Sequence, residues 1–344
     1  MVEAKEAVLM DSKEAVMKVE NLRKYFMIRR SFGEFITGKP PRYVKAVDGV
    51  SFAIKPKEVF ALVGESGCGK TTTGKLIVKL LRPSGGRIYF NGTDVTELST
   101  EEEIEYRKRV QIIFQDPYSS LDPRFRVYDI LEEPLLITKV GETKAERREL
   151  IYKALEEVRL VPQEEFIGRF PHQLSGGQRQ RVAIARALIL NPEFLVADEP
   201  VSMLDLSIRA EILELMRELK ERHGLTYLYI THDLSTARFF CDRIAVMYLG
   251  KIVELATSDR LIENPVHPYT KALLIAVPEP DPSQRHVMKE IPIIGEVPSA
   301  VNIPPGCRFH PRCPYRFEPC DKEEPELIEV EPDHYVACHL VSKK

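Results

Sequence analysis

The chain has 344 residues, room for one large domain with an appendage or for two domains. Its 49 Lys and Arg stand against 52 Asp and Glu, a net charge of −3, so it has no global basic field that would hold nucleic acid. No apolar stretch approaches the ~18 residues needed to span a bilayer, and residues 1–20 mix charges without a secretory pattern, so a soluble, intracellular chain is expected.

In chain order, residues 15–19 and 44–54 alternate apolar and polar side chains and predict an antiparallel β layer. Residues 31–42 between them, rich in Gly, Pro and basic residues, predict a loop or hairpin. The apolar run 59–63 predicts a buried strand and residues 72–81 a helix. A turn at 83–86 leads into a short strand over 87–90. Ser99 opposite Glu102, or Thr100 opposite Glu103, predicts a capping box that opens a helix. A strand over 110–114 comes next, then helical periodicity, clearest over 145–160. A helix is expected to start at 175 and run to 190. The remaining pattern is strand 193–197, helix 207–223, strand 226–230 and a hairpin of 244–248 with 251–255. This alternation predicts an α/β core with a parallel sheet and an inserted helical subdomain at about 116–174. Beyond 265 the texture changes. More than half of the 25 prolines lie there, and periodicity fades. The expected division is a main domain over 16–265 and a small module over 266–344.

The most specific pattern is Gly64-Glu65-Ser66-Gly67-Cys68-Gly69-Lys70-Thr71, continued by Thr72, a G-x-x-x-x-G-K-[ST] loop between a predicted strand and a predicted helix. The glycines let successive N–H groups turn toward phosphate oxygens, and the helix N-terminus adds partial positive charge. Lys70 is expected to reach the β- and γ-phosphates and the Thr71 hydroxyl to hold Mg²⁺. Cys68 reads as a small packing residue. The apolar strand before Asp198-Glu199 supplies the other half of such a site: Asp198 orients Mg²⁺ through its water shell, and Glu199 is placed to take a proton from the attacking water.

Leu174-Ser175-Gly176-Gly177-Gln178, followed by Arg179-Gln180-Arg181, completes a pattern that resembles the nucleotide-binding subunit of an ATP-binding cassette (ABC) transporter. The resemblance implies an α/β ABC nucleotide-binding domain, with a RecA/F1-like core, an antiparallel β subdomain and a helical subdomain. It implies that Ser175, Gly176, Gly177 and Gln178 form a second anion-binding corner, which meets the γ-phosphate held by a different subunit. Gln115 matches the glutamine that contacts Mg²⁺ or the attacking water. His232 matches the switch histidine and Asp205 the loop that communicates across the dimer. Phe26 is the expected adenine-stacking ring, with Tyr25 its rival. ATP and Mg²⁺ are the implied ligands.

Within the family, Lys45-Ala46-Val47-Asp48-Gly49, Phe114-Gln115-Asp116-Pro117-Tyr118 and His267-Pro268-Tyr269-Thr270 resemble the oligopeptide/dipeptide importers, and the 31–42 loop and Tyr118 lean toward their F-type ATPase. The implied partners are a second ABC ATPase subunit in a heterodimer, two membrane permease subunits and, indirectly, an extracellular solute-binding protein. The implied location is peripheral, on the cytoplasmic face of the cell membrane. The same ATPase role in an oligosaccharide importer of this branch, or a soluble non-transport ABC ATPase, is the alternative. A DNA-repair ATPase would need a coiled coil between loop and signature that this chain is too short to hold, and a translation-type factor would carry two cassettes. Cys307, Cys313, Cys320 and Cys338 make a C-terminal cluster. Similar segments of this branch hold an iron–sulfur cluster. Four thiolates can equally hold zinc, with His310, His334 and His339 as nearby alternative ligands, although the lack of Cys-x2-Cys pairs favours [4Fe–4S] over zinc; two disulfides or four free thiols are the alternative to a metal.

Overall fold

The alternating residues of the first strand build the sheet that their period predicts. The computed structural model describes residues 14–28, 30, 40–276 and 293–341, so most of the loop expected at 31–42 lies outside the described residues. Strand Met17–Met27 pairs antiparallel with Tyr43–Ile54 on one side and with Gly85–Phe90 on the other, and Thr93–Asp94 closes a four-stranded sheet. Met17, Val19 and Leu22 are fully buried. The step from 19 to 22 breaks the period of two, and the register shifts there. Asn21, at φ 47°, absorbs the extra residue of this bulge and returns Leu22 to the core face.

The chain falls into two units: Met1–Ile54, Phe60–Thr96 and Thr231–Lys344 form the first, and Lys55–Val59 with Glu97–Ile230 the second. In the first unit, strand Val59–Val63 lies parallel to Arg243–Tyr248, which turns back antiparallel into Lys251–Thr257. That hairpin was expected, and its turn is Leu249-Gly250, both at positive φ (42° and 80°), the geometry whose twist suits paired strands. His334–Val336 and Ile328–Glu331 extend the same sheet from the C-terminal region, pairing onto Lys251–Thr257 through Glu254 and Leu255. Phe52 and Phe60 stack at 5.1 Å between ring centres in this unit's core.

In the second unit, strands Val110–Ile113, Phe194–Asp198 and Thr226–Thr231 run parallel in that spatial order. Every residue of Phe194–Asp198 is buried, which explains an apolar run without alternation. The helices are Thr100–Arg109, Val127–Thr138, Lys144–Glu157, Gly176–Leu188 and Leu206–His223, with single turns at Pro117–Ser120 and Glu164–Ile167. Ser99, not Thr100, is the cap of the first: its hydroxyl accepts from Glu102 N–H (3.3 Å) and Glu102 accepts from Ser99 N–H (2.9 Å). The helix expected over 145–160 stops at Glu157, and Arg159 follows in the left-handed region. Among the described residues, no helix is long and apolar enough to cross a membrane.

Candidate functional site

In the first unit the buried strand Val59–Val63 ends at the glycine loop, and helix Lys70–Ile77 begins directly after it. The sequence placed that helix two residues later and extended it to 81; Lys79 at φ 62° ends it early. Gly69 caps the helix at φ 112°, and a Cβ there would lie 2.2 Å from the Ala46 carbonyl oxygen. At Gly64 a Cβ would lie 2.3 Å from the Met247 carbonyl oxygen. Only glycine fits either position, because backbone atoms cannot move aside as a side chain can. Lys70 is buried, and its ammonium donates to the carbonyls of Gly64 (2.7 Å) and Glu65 (3.1 Å). The loop is thus wrapped around its own lysine. Cys68 is buried, and desolvation raises its pKa despite Lys70, so the thiol packs rather than ionises. Ser66 and Gly67 are exposed at the loop's tip; Thr71 and Thr72 are half-buried on the first helical turn.

The same unit carries His232, exposed, just before helix Leu234–Phe240; Asp233 caps that helix by accepting from Ser235 N–H (2.8 Å). It also carries both adenine candidates. The Tyr25 hydroxyl donates to Asp48, which also pairs with Arg308. The Phe26 ring stays 38 % exposed with the Lys24 ammonium 5.2 Å from its centre.

In the second unit Asp198 ends its strand at 3 % exposure, and Glu199 follows at φ 46°. Left-handed backbone at a non-glycine residue costs about 1–3 kcal/mol and collects at functional sites. Here it is over-determined: Glu199 N–H donates to Ile230 O (2.8 Å), and Glu199 O accepts from the Ser202 hydroxyl (3.0 Å). The Glu199 carboxylate receives the Gln115 amide at 3.0 Å. Two residues chosen from separate sequence patterns therefore touch.

Ser175 caps helix Gly176–Leu188 in a reciprocal box: its hydroxyl accepts from Gln178 N–H (3.3 Å), and Gln178 accepts from Ser175 N–H (3.0 Å). A Cβ on Gly177 would lie 2.8 Å from Ile208 Cγ2, so glycine lets the two helix starts approach. Asp205, exposed, stands at the N-terminus of Leu206–His223 without capping it through its side chain. Arg179, adjacent to the signature, stacks its guanidinium 3.9 Å above the Tyr118 ring.

Sequence reasoning missed what surrounds the phosphate loop. Glu65 N–H donates to the Tyr269 hydroxyl (2.9 Å), and the Glu65 carboxylate forms a two-pronged ion pair with Arg312 (2.8 and 3.1 Å). The only sequence signal was the His267-Pro268-Tyr269 stretch. The buried His267 accepts from Tyr269 N–H through Nδ1 (3.0 Å) and so caps the helix that presents Tyr269. Its burial pushes the imidazole pKa down to about 4.

All six cysteines are free thiols. Cys307 is pushed up to about 12, first by burial and then by the neighbouring Cys338, Cys320 and Cys313; Cys338 is pushed up to about 11 by burial, with Cys313 and Cys320 adding to it. The four thiols lie near enough for Cys307, Cys313 and Cys338 each to be raised in part by the others. Among the described residues, however, no three His, Cys, Asp or Glu side chains form a metal-binding group. The expected iron–sulfur site therefore gains no support from the arrangement of these side chains.

Residues 47–202 match the model of the ABC transporter family, and residues 253–320 match that of the oligopeptide/dipeptide transporter C-terminal region. The chain is 47 % identical, over 96 % of its length and 99 % of the relative's, to the oligopeptide transport ATP-binding protein AppF of Bacillus subtilis. It is 48 % identical over 89 % of its length to the putative oligopeptide transport ATP-binding protein YkfD of the same organism, of which it covers 92 %. Among solved structures, the ATP-binding cassette MJ0796, in a dimeric post-hydrolysis state bound to ADP and Pi, superposes with a TM-score of 0.60 at 30 % identity, covering 70 % of this chain and 98 % of that one. CbiO1 from Clostridium perfringens, part of the cbiONQ transporter complex, gives 0.60 at 28 % identity and covers 73 % and 92 %. The expected cassette fold is thereby confirmed, and the chain belongs to the ABC transporter family as an ATP-binding subunit of its oligopeptide/dipeptide group.

Proposed function

We propose that this chain hydrolyses ATP to drive import of oligopeptides through a membrane ABC transporter. The observation that carries the catalytic reading is the contact of Gln115 with Glu199, whose backbone is held in the left-handed region directly after the buried Asp198. A carboxylate so fixed is pre-oriented to act as a general base. In this reading Lys70 exchanges the Gly64 and Glu65 carbonyls for β- and γ-phosphate oxygens, and the loop N–H groups from Gly64 to Thr72, apart from that of Glu65, which the Tyr269 hydroxyl takes, hold the phosphates. Thr71, Asp198 and Gln115 are the residues that would hold Mg²⁺, which neutralises charge developing on the phosphates. Glu199 takes a proton from the attacking water, and His232 contacts the γ-phosphate. Phe26 rather than Tyr25 stacks on adenine, since the Tyr25 hydroxyl is engaged by Asp48. Ser175, Gly176, Gly177 and Gln178, with Asp205, serve the nucleotide bound by a second ATPase subunit, so that each subunit completes the other's site.

The partners in this reading are that second subunit, in a heterodimer, two permease subunits and an extracellular solute-binding protein. The chain then lies on the cytoplasmic face of the cell membrane. For the C-terminal cysteines, the reading is a [4Fe–4S] cluster on Cys307, Cys313, Cys320 and Cys338, which rests on the resemblance of this segment to others of the branch. Binding would draw the sulfurs together and release their protons, and no step of hydrolysis passes through it. Anaerobically purified protein is expected to contain iron and to show thiolate-to-iron absorbance; intact thiols without iron would remove the cluster.

The transport reading is tested in vesicles that hold the permeases, both ATPases and the solute-binding protein. Labelled peptide should enter only with ATP and not with Lys70→Ala. Peptide uptake that persists with Lys70→Ala, or ATP turnover without any peptide uptake, would overturn it.

A further inference from the structure

We propose that Arg312, from the C-terminal region, is a positioning residue for nucleotide binding: it neutralises and anchors Glu65, so that the phosphate loop keeps its shape when a polyphosphate arrives. The proposal rests on the phosphate-loop reading above.

An acidic residue inside a phosphate-binding loop is an electrostatic problem, since its carboxylate repels the ligand. Glu65 has that place, directly after Gly64. Both of its carboxylate oxygens are taken by the two terminal guanidinium nitrogens of Arg312, the geometry in which arginine holds a carboxylate best. The rest of Glu65 is held as well: its N–H by the Tyr269 hydroxyl, and its carbonyl by Lys70.

Arg312 is itself well supported. It is 7 % exposed, on the short turn His310–Arg312 that joins Cys307 to Cys313. Its N–H donates to Phe309 O (3.0 Å), and its carbonyl accepts from Ile294 N–H (3.1 Å). Its guanidinium lies 5.8 Å from the Tyr248 ring centre and 6.0 Å from that of Phe309. Those rings pack with Tyr269: Tyr248 lies 4.8 Å and Phe309 5.4 Å from it. The two anchors of Glu65, Arg312 and Tyr269, thus share one aromatic cluster. Burial of the arginine limits rotamer freedom and screening by water, so the pair acts as a fixed clamp rather than a surface ion pair. A cassette that ended before the C-terminal region would have Glu65 with neither anchor.

The test is a double-mutant cycle on the full chain, read as the equilibrium dissociation constant for Mg–ATP by calorimetry, with thermal melting measured alongside. Arg312→Gln should weaken ATP binding by about tenfold, by leaving an unneutralised carboxylate beside the triphosphate. Glu65→Gln should weaken it less, and in that background Arg312→Gln should add a change of no more than about twofold. A general destabilisation by Arg312 loss would instead act equally in both backgrounds. Arg312→Lys keeps the charge without the fork, should lose about threefold, and reads the same coupling if the glutamine variant does not fold. Arg312 variants that bind ATP as wild type does, or that lose the same factor with and without Glu65, would overturn the proposal. Lys70→Ala is run in parallel: if it binds ATP normally, the phosphate-loop reading fails; if it alone loses binding, only the role of Arg312 fails.

Discussion

Two helices of this protein begin at glycine-rich turns, and they use glycine for different reasons. At Gly64 and Gly69 the obstacle to a side chain is backbone: carbonyl oxygens of Met247 and Ala46 stand where Cβ would go. At Gly176 and Gly177 the obstacle is side chain: Leu204 Cδ2 at 3.4 Å and Ile208 Cγ2 at 2.8 Å. The phosphate loop is shaped from outside, by neighbouring strands and by Tyr269 and Arg312. The signature turn is shaped from within, by the reciprocal Ser175–Gln178 box. A segment shaped by its surroundings should be intolerant of change and sensitive to distant residues. One shaped by its own cap should be tolerant in stability and sensitive only in what it binds.

The largest expected difference is in Gly69→Ala. It combines left-handed backbone with a backbone clash and should destabilise the fold by about 3 kcal/mol or more, with loss of ATP binding; denaturant melts and calorimetry measure both. A variant as stable as wild type would break the distinction. Acid comes next, because it reaches the phosphate loop through His267. This group's folded pKa lies below its unfolded value, so the unfolded chain binds more protons in the window between. The stabilisation is complete above about pH 6.5 and declines as pH falls toward about 4, by roughly 3 kcal/mol in all. His267→Asn keeps a cap acceptor and should flatten that decline in denaturant midpoints taken across the window; an unchanged slope would assign the acid sensitivity elsewhere. Gly177→Ala should cost only about 1 kcal/mol, the crowding of Ile208 being partly offset by alanine's better helix propensity. Smallest of all is Gly176→Ala, within about 0.5 kcal/mol of wild type, because Leu204 is already at ordinary contact distance. Both signature variants should leave ATP affinity of the isolated chain unchanged while lowering turnover of the assembled transporter. Loss of ATP affinity in the isolated chain would place the signature in this chain's own site.

The fold was legible wherever local periodicity decides it. Strand Phe194–Asp198, the Leu249-Gly250 hairpin and the Ser99–Glu102 capping box follow from short-range chemistry, and helix ends missed by a few residues where Lys79 or Arg159 takes left-handed backbone. Glu199 was singled out by its place after a strand, but its own left-handed backbone leaves no mark in sequence, since glutamate is not a residue that turns require. The anchoring of Glu65 was not legible: Arg312 lies 247 positions away in a proline-rich stretch, and nothing local distinguishes it from other arginines. Tyr269 was noticed only as part of a branch marker; its hydroxyl on the loop gives that marker a physical task. The cysteines stood out only by their spacing in the chain, which says nothing of sulfur geometry, and among the described residues no metal-binding group forms.

The proposed hydrolysis turns on one carboxylate, and Glu199→Gln in the assembled transporter tests it most directly. The substitution keeps the side chain's length and its place after Asp198 while removing the base. ATP should bind with wild-type affinity and keep the two ATPase subunits closed, while hydrolysis falls by about 10²–10⁴-fold. Hydrolysis at the wild-type rate would contradict the account.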